Sequence, residues 1–176
     1  MLRTDLLFNF LIGLLAVIVI LALKVNPPAT PDIAQPGNIV VSAAWPEGSN
    51  DVDLWVQHAG DIAVGYSNKS GKVWSLLRDD LGNVNDSTPM NYESSFSRGI
   101  PDGEYAVNVK CFTCFGKFPV PVAVEVRLAT GELIWRGVVD LVANKQERTA
   151  VRWRMADGLV VKDSASSVFK KMNRGE

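Results

Sequence analysis

The stretch 120–128, VPVAVEVRL, indicates the fold class because apolar and polar side chains alternate along it. In an extended strand its valines face one way, and the alanine, glutamate and arginine between them face the other. The stretch 51–58, DVDLWVQH, alternates in the same way. This pattern is typical of strands that bury one face against a core and leave the other face in water.

Similar stretches recur after Asn38, separated by clusters rich in Gly, Asn, Asp and Pro, and none shows a helical period. We predict strands at 38–45, 52–58, 62–67, 73–77, 94–98, 105–112, 120–128, 133–141 and 148–155. So many short strands predict an all-β domain at 38–155, an antiparallel β-sandwich of the jelly-roll or immunoglobulin-like type. The polar tail at 156–176 is expected to be disordered or to form a short helix.

An apolar run at 6–23, LLFNFLIGLLAVIVILAL, has no charged side chain. As a helix it would span about 27 Å, close to the roughly 30 Å of a bilayer core. We predict a transmembrane anchor at 1–25 and a Pro-rich stalk at 26–37. A cleaved signal peptide is the alternative, but the run exceeds the usual length of about 7 to 15 residues and Asp5 precedes it. The short N-terminus is expected in the cytoplasm.

The composition argues against several function classes. With 18 Lys and Arg against 19 Asp and Glu, the chain lacks the positive charge that nucleic-acid binding requires. One His and two Cys cannot supply the roughly four ligands of a structural zinc site. No nucleophile and base pattern such as G-x-S-x-G is visible, so we expect no enzyme activity and no cofactor.

One face of the predicted helix combines an acid, an amide and two small residues: Asp5, Asn9, Gly13 and Ala16. Small residues let a second helix approach closely, so we predict a homodimer through the anchor. Asp5 has two interpretations. It can lie among the lipid headgroups and favour the helix N-terminus, or it can be a carboxylate that exchanges protons while facing other helices.

An Asp at the start of a single membrane helix, followed by a Pro-rich stalk and an extracytoplasmic domain, resembles the B-type subunits of ion-driven motors, which include MotB, ExbD and TolR. The resemblance covers about Arg3 to Pro28. It implies that Asp5 carries the proton and that two copies stand inside a ring of multi-helix MotA/ExbB-like subunits. It also implies a bacterial inner-membrane protein with its β domain in the periplasm.

On this basis we predict a stator-like subunit of a proton-driven motor, whose β domain contacts a load or the cell wall. The alternative is a membrane-anchored module that binds a glycan or a protein without ion chemistry. The β domain itself resembles a class of bacterial β-sandwich modules. The shared motifs are D-x-D-L-x-V at 51–56 after Trp45, R-D-x-x-G at 78–82 and G-x-Y-x-V-x-V at 103–109. This second resemblance implies the fold and no particular activity.

The densest acidic cluster comprises Asp51, Asp53, Asp79 and Asp80. If the two loops lie side by side, these carboxylates could bind Ca²⁺, although calcium takes about six to eight oxygen ligands. The favoured alternative is a solvated turn in which Arg78 neutralises its acidic neighbours. The D-x-D spacing of Asp51 and Asp53 places both acids on the solvent-facing side of their strand.

The remaining candidates are cysteine and tryptophan side chains. Cys111 and Cys114 form a C-x-x-C pair at a predicted turn. Outside the cytoplasm a local disulfide is the first expectation, ahead of free thiols and of redox catalysis. Of the five Trp, most are expected in the core, while Trp55 and Trp153 have polar neighbours and are candidates for an exposed binding surface.

Overall fold

The computed structural model describes residues 2–25, 37–82 and 90–175. The chain divides into two compact units, one that ends at Ala34 and one that begins at Gln35. The predicted stalk at 26–37 lies outside the described residues except for Gly37. We therefore describe the N-terminal helix and the following domain each by itself.

The N-terminal unit is one helix, α1, at Leu2–Val25. Its segment Arg3–Ala22 is long and apolar enough to cross a membrane, and none of it is buried. Asp5 lies in the first turn and Lys24 in the last, which is the arrangement that the helix dipole favours. Length and composition of this helix suit a single-pass anchor, and they suit a signal sequence as well.

The second unit is mostly β, as the sequence predicts. Its strands are β1 Ile39–Trp45, β2 Asp51–His58, β3 Trp74–Arg78, β4 Asn91–Ser97, β5 Gly103–Thr113, β6 Val120–Leu128, β7 Leu133–Leu141, β8 Glu147–Ala156 and β9 Leu159–Val160. They form a five-stranded sheet in the order β3-β4-β1-β6-β7 and a four-stranded sheet in the order β2-β5-β8-β9. Every strand pair in this domain as described is antiparallel. We call it the two-sheet domain.

One hydrophobic cluster lies between the sheets and contains residues from both. The alternating valines of β6 face into it, as do those of β2 and β5. Trp153 and Tyr105 stack within it, with ring centroids 5.1 Å apart and planes 20° apart. The period of two in the sequence therefore identifies the inner faces correctly in most strands.

The stretch 62–67 is not the predicted strand. It is a loop that meets the free edge of β2 only through the bridge between Val56 and Val64. Gly65 passes so close to Trp55 that an added Cβ would lie 2.5 Å from a ring atom of Trp55. Close contact with an indole, rather than strand pairing, determines the path of this segment.

The end of the chain is neither the predicted disordered tail nor a helix. After β9, residues 161–166 run along the edge of β8 and residues 170–172 reach the outer face of the four-stranded sheet; we call the segment 161–175 the C-terminal strap. Ser166 pairs with Arg152 of β8, and the Lys170 N–H donates to Thr149 Oγ1 at 2.9 Å. Met172 is buried against Trp55, Ala63 and Ala106. The strap thus covers a sheet face that the sequence suggested was exposed.

The loops between strands gather at two opposite ends of the two-sheet domain. The Asn38 end comprises Asn38 and the loops 59–73, 98–102 and 129–132. The Cys114 end comprises the loops 46–50, 114–119 and 142–146, with the described part of the loop after β3. Most predicted site residues of the two-sheet domain lie at the Cys114 end.

Candidate functional site

A disulfide closes the turn after β5 at the Cys114 end, between Cys111 and Cys114. The Asn144 side chain binds this turn, because its Oδ1 accepts the Cys114 N–H at 3.0 Å. From the loop 46–50, Asn50 Oδ1 accepts the Phe115 N–H at 2.9 Å. Two neighbouring loops therefore hold the disulfide turn in place.

The disulfide turn carries two exposed aromatic side chains. Phe115 is 65% exposed and Phe118 is 39% exposed. Large apolar side chains on a turn that is fixed by side-chain hydrogen bonds and a disulfide are preorganised for contact with another molecule. We call Phe115 and Phe118 the aromatic tip.

Beside the tip, aromatic rings form a row along the outer face of the four-stranded sheet. Tyr66 lies between Trp55 and Phe112, with ring centroids 5.5 Å and 5.1 Å away. The Lys145 ammonium lies 4.2 Å from the Phe112 ring centre, and Arg174 of the strap lies 4.3 Å from that of Trp55. Cationic side chains of the same protein thus contact the rings at both ends of this aromatic row.

Acidic side chains are buried next to the same loops. Glu93 of β4 is 1% exposed, and its Oε2 accepts the Leu54 N–H at 2.7 Å. Leu54 belongs to β2, the edge strand of the four-stranded sheet, so Glu93 caps an edge N–H and joins the two sheets. Asp53, predicted on the solvent-facing side, is only 3% exposed, and its Oδ2 lacks a hydrogen-bond partner.

Burial shifts the protonation of this acidic group. It raises the pKa of Glu93 from 4.5 to about 9, against the opposing effect of the N–H donors of Leu54 and Asp80. Burial, reinforced by the charge of Asp51, raises the pKa of Asp53 to about 7. The pKa of Asp51 rises to about 6, through burial and the charge of Asp79. Some of these carboxyls are therefore protonated near neutral pH.

The calcium hypothesis gains no support from this geometry. Within residues 2–25, 37–82 and 90–175, no three His, Cys, Asp or Glu side chains are arranged to hold a metal ion. Asp80 is instead bound to Arg78 at 2.8 Å and accepts the N–H groups of Gly82 and Tyr92. Asp79 pairs with Lys69 at 3.0 Å. In this turn Arg78 thus pairs with Asp80, while Asp79 pairs with Lys69 instead of Arg78, and Asp80 is buried and not solvated.

The prediction that Trp55 and Trp153 are exposed is wrong, since each is only 1% exposed. Trp153 shares its face of β8 with Val151 and Met155 and points into the core, while Arg152 and Arg154 face outward. Trp55 does face outward from β2, but Met172 of the strap packs on it. Neither indole is available for a ligand in this conformation.

The predicted helix-packing residues follow one side of α1. A groove of about 460 Å³ beside the helix is lined by Asn9, Phe10, Gly13, Leu14 and Val17. A Cβ atom added at Gly13 would have no other atom within 4 Å. Ala16 does not line the groove. The described helix thus offers a narrow, unfilled surface beside Asn9 and Gly13.

Sequence reasoning missed the aromatic tip and Glu93. Phe115 and Phe118 frame Gly116 and Lys117 next to C-x-x-C, and two aromatics in such a short polar turn were the available signal. Glu93 gave a weaker signal, as an acid within the polar strand NYESSFS. Its burial depends on β2 lying opposite, which no local pattern reveals.

We expect the disulfide to contribute modestly to stability. Its loop is short, so the entropy it removes from the unfolded chain corresponds to well below the roughly 3 kcal/mol of a 15-residue loop. The full chain in mild detergent, with both Cys111→Ser and Cys114→Ser, should unfold at slightly lower urea concentration than the parent, as monitored by Trp fluorescence. Reducing agent should shift the parent to the same midpoint. Loss of the folded state without denaturant would contradict this expectation.

No protein-family model, curated protein or solved structure matches this chain. The resemblance to motor subunits therefore stays a prediction, carried by the helix sequence alone.

Proposed function

We propose that this chain is a single-pass membrane-anchored module whose two-sheet domain binds a protein partner through the aromatic tip. The observation that carries the proposal is the exposure of Phe115 and Phe118 on a turn that a disulfide, Asn50 and Asn144 hold in place. Aromatic side chains are enriched at the energetically dominant positions of protein interfaces. Because the turn is preorganised, a partner would lose little of its binding energy to ordering these side chains. Catalysis is not part of this proposal.

The proposal also includes the fold type of the two-sheet domain and the cellular location of the chain. We class the two-sheet domain as a β-sandwich of the jelly-roll or immunoglobulin-like type, because two antiparallel sheets share one core.

We place the two-sheet domain in the periplasm of a bacterium, with α1 in the inner membrane and the N-terminus in the cytoplasm. The disulfide supports this placement, since disulfides form and persist in oxidising compartments.

The experiment compares assemblies extracted from native membranes with mild detergent. We expect the parent chain to migrate in a complex larger than its own mass, and the pair Phe115→Ser and Phe118→Ser to lose that complex. A matched control is the pair Val168→Ser and Phe169→Ser, which removes similarly exposed apolar side chains from the strap. The control should keep the complex. Equal loss in both variants, or no change in the tip variant, would refute the proposed role of the tip.

The second candidate is the stator-like subunit of a proton-driven motor, and one observation favours it. The groove beside Asn9 and Gly13 lies on the side of α1 predicted to pack against other helices. A neighbouring helix in that groove would supply the homodimer contact, and a multi-helix MotA/ExbB-like ring would surround the pair. Asp5, one turn before Asn9, would then exchange protons with the ring.

A further inference from the structure

A cavity of about 700 Å³ opens at the Asn38 end of the two-sheet domain, opposite the aromatic tip. Its walls come from the end of β2 with the loop that follows, from the segment 70–72 before β3, and from the C-terminal strap. This volume lies in the range of small-ligand pockets. The proposed binding of a partner at the aromatic tip does not involve this cavity. The side chains that line the cavity indicate which class of ligand it would bind.

The lining of this cavity is positively charged. Lys72, Lys170 and Lys171 line it, and Asp61 is the acidic residue among the lining residues. The Lys170 ammonium group forms an ion pair with Glu104. Among the described residues, neither Lys72 nor Lys171 has a side-chain partner for its ammonium group. Two lysine side chains without an ion pair therefore line the cavity.

The acid in the lining offsets only one of these positive charges and forms no ion pair with them among the described residues, because its oxygens accept backbone N–H groups. Asp61 Oδ2 accepts the N–H groups of Lys72 at 2.7 Å and Val73 at 3.0 Å, and Oδ1 accepts the Ile62 N–H at 2.9 Å. Asp61 thus shapes the wall of the cavity. Arg98, which is not among the lining residues, donates to Ser70 Oγ at 2.8 Å and holds this lining side chain.

From this geometry we propose that the cavity binds a phosphate group, presented by a phospholipid headgroup or by a soluble phosphate ester. Lysine ammonium groups bind phosphate as point charges, and the two lining lysines without an ion pair match the charge of a phosphate better than that of a carboxylate. The cavity exceeds the volume of phosphate itself, so it accommodates the organic group that carries the phosphate. A phospholipid is one source, because the chain is expected to be membrane-anchored.

The test measures binding by the full chain in uncharged detergent. The probes are inorganic phosphate, glycerol-1-phosphate and short-chain phosphatidylglycerol, with acetate as a competitor. The pair Lys72→Gln and Lys171→Gln should weaken phosphate binding at least tenfold. The control pair Lys117→Gln and Lys162→Gln removes the same charge from exposed positions outside the cavity, and it should leave the affinity within twofold of the parent.

Tighter binding of phosphatidylglycerol than of glycerol-1-phosphate would support the proposal with a lipid headgroup as the source. Equal affinities for these two probes would support it with a soluble phosphate ester as the source. Three results would overturn it: no saturable binding of any phosphate probe by the parent, equal weakening in the control pair, or displacement of phosphate by acetate at equal concentration.

Discussion

Raising the pH from 6 to 9 should lower the free energy of unfolding of the two-sheet domain. The folded chain holds the protons of Asp51, Asp53 and Glu93 more tightly than the unfolded chain does, because their pKa values rise from 3.8, 3.8 and 4.5 to about 6, 7 and 9. Stability that is fully present below the ordinary carboxyl pKa is then lost as the pH rises through the raised values. Urea titrations of the full chain, followed by Trp fluorescence, measure this loss.

The variant Glu93→Gln separates the contribution of Glu93 from the others. Glutamine keeps the size of the side chain and, like the protonated acid, carries a donor, but its NH2 cannot accept a hydrogen bond as the hydroxyl oxygen of the acid does, which leaves the Leu54 or the Asp80 N–H unsatisfied. We expect a loss of about 1–3 kcal/mol at pH 6, the cost of an unsatisfied buried group. The variant should also depend less on pH than the parent, because residue 93 no longer titrates. Glu132→Gln, at an exposed position, is the matched control and should behave like the parent.

A parent whose stability stays constant or rises between pH 6 and 9 would contradict this prediction, because carboxyls that are already charged in the folded state at pH 6 cause no loss of stability above it. A parallel loss of stability in Glu93→Gln and the parent would show that the loss comes from groups other than Glu93.

Asp5→Asn should abolish proton flux if the chain works as a motor subunit, without changing membrane insertion or the folding of the two-sheet domain. Asparagine keeps the size of the side chain but cannot titrate, so it cannot couple proton movement to motion. As a plain helix cap Asn would serve nearly as well as Asp. The assay measures flux in membranes that contain the chain and its multi-helix partner, with Asp32→Asn as the control. Retained flux in Asp5→Asn would remove the motor candidate.

Local patterns in the sequence predicted most of the two-sheet domain. The alternation in 120–128 identifies the buried valines of β6, because strand geometry alone fixes which side chains share a face. The same rule places Val151, Trp153 and Met155 together on the inner face of β8. The polar neighbours of Trp153 in the chain favour an exposed side chain, but Val151 and Met155, two positions away, are the residues that share its face.

Contacts between distant segments account for what the sequence could not predict. Trp55 faces outward, as its alternation requires, yet Met172 covers it from more than a hundred residues further along the chain. Glu93 and Leu54 likewise meet only because the two sheets pack together. For the candidate site, the cysteine pair was visible in the sequence, but the exposure of Phe115 and Phe118 depends on the neighbouring loops. Such contacts need the assembled fold.

The most direct test of the proposed binding role places a photo-crosslinking phenylalanine analogue at position 115 of the full chain in native membranes. Position 169 of the strap is the control, because Phe169 is 54% exposed and lies outside the Cys114 end. The account predicts one discrete crosslinked protein from position 115 that is absent from position 169. No adduct from position 115, or the same adduct from both positions, would contradict it.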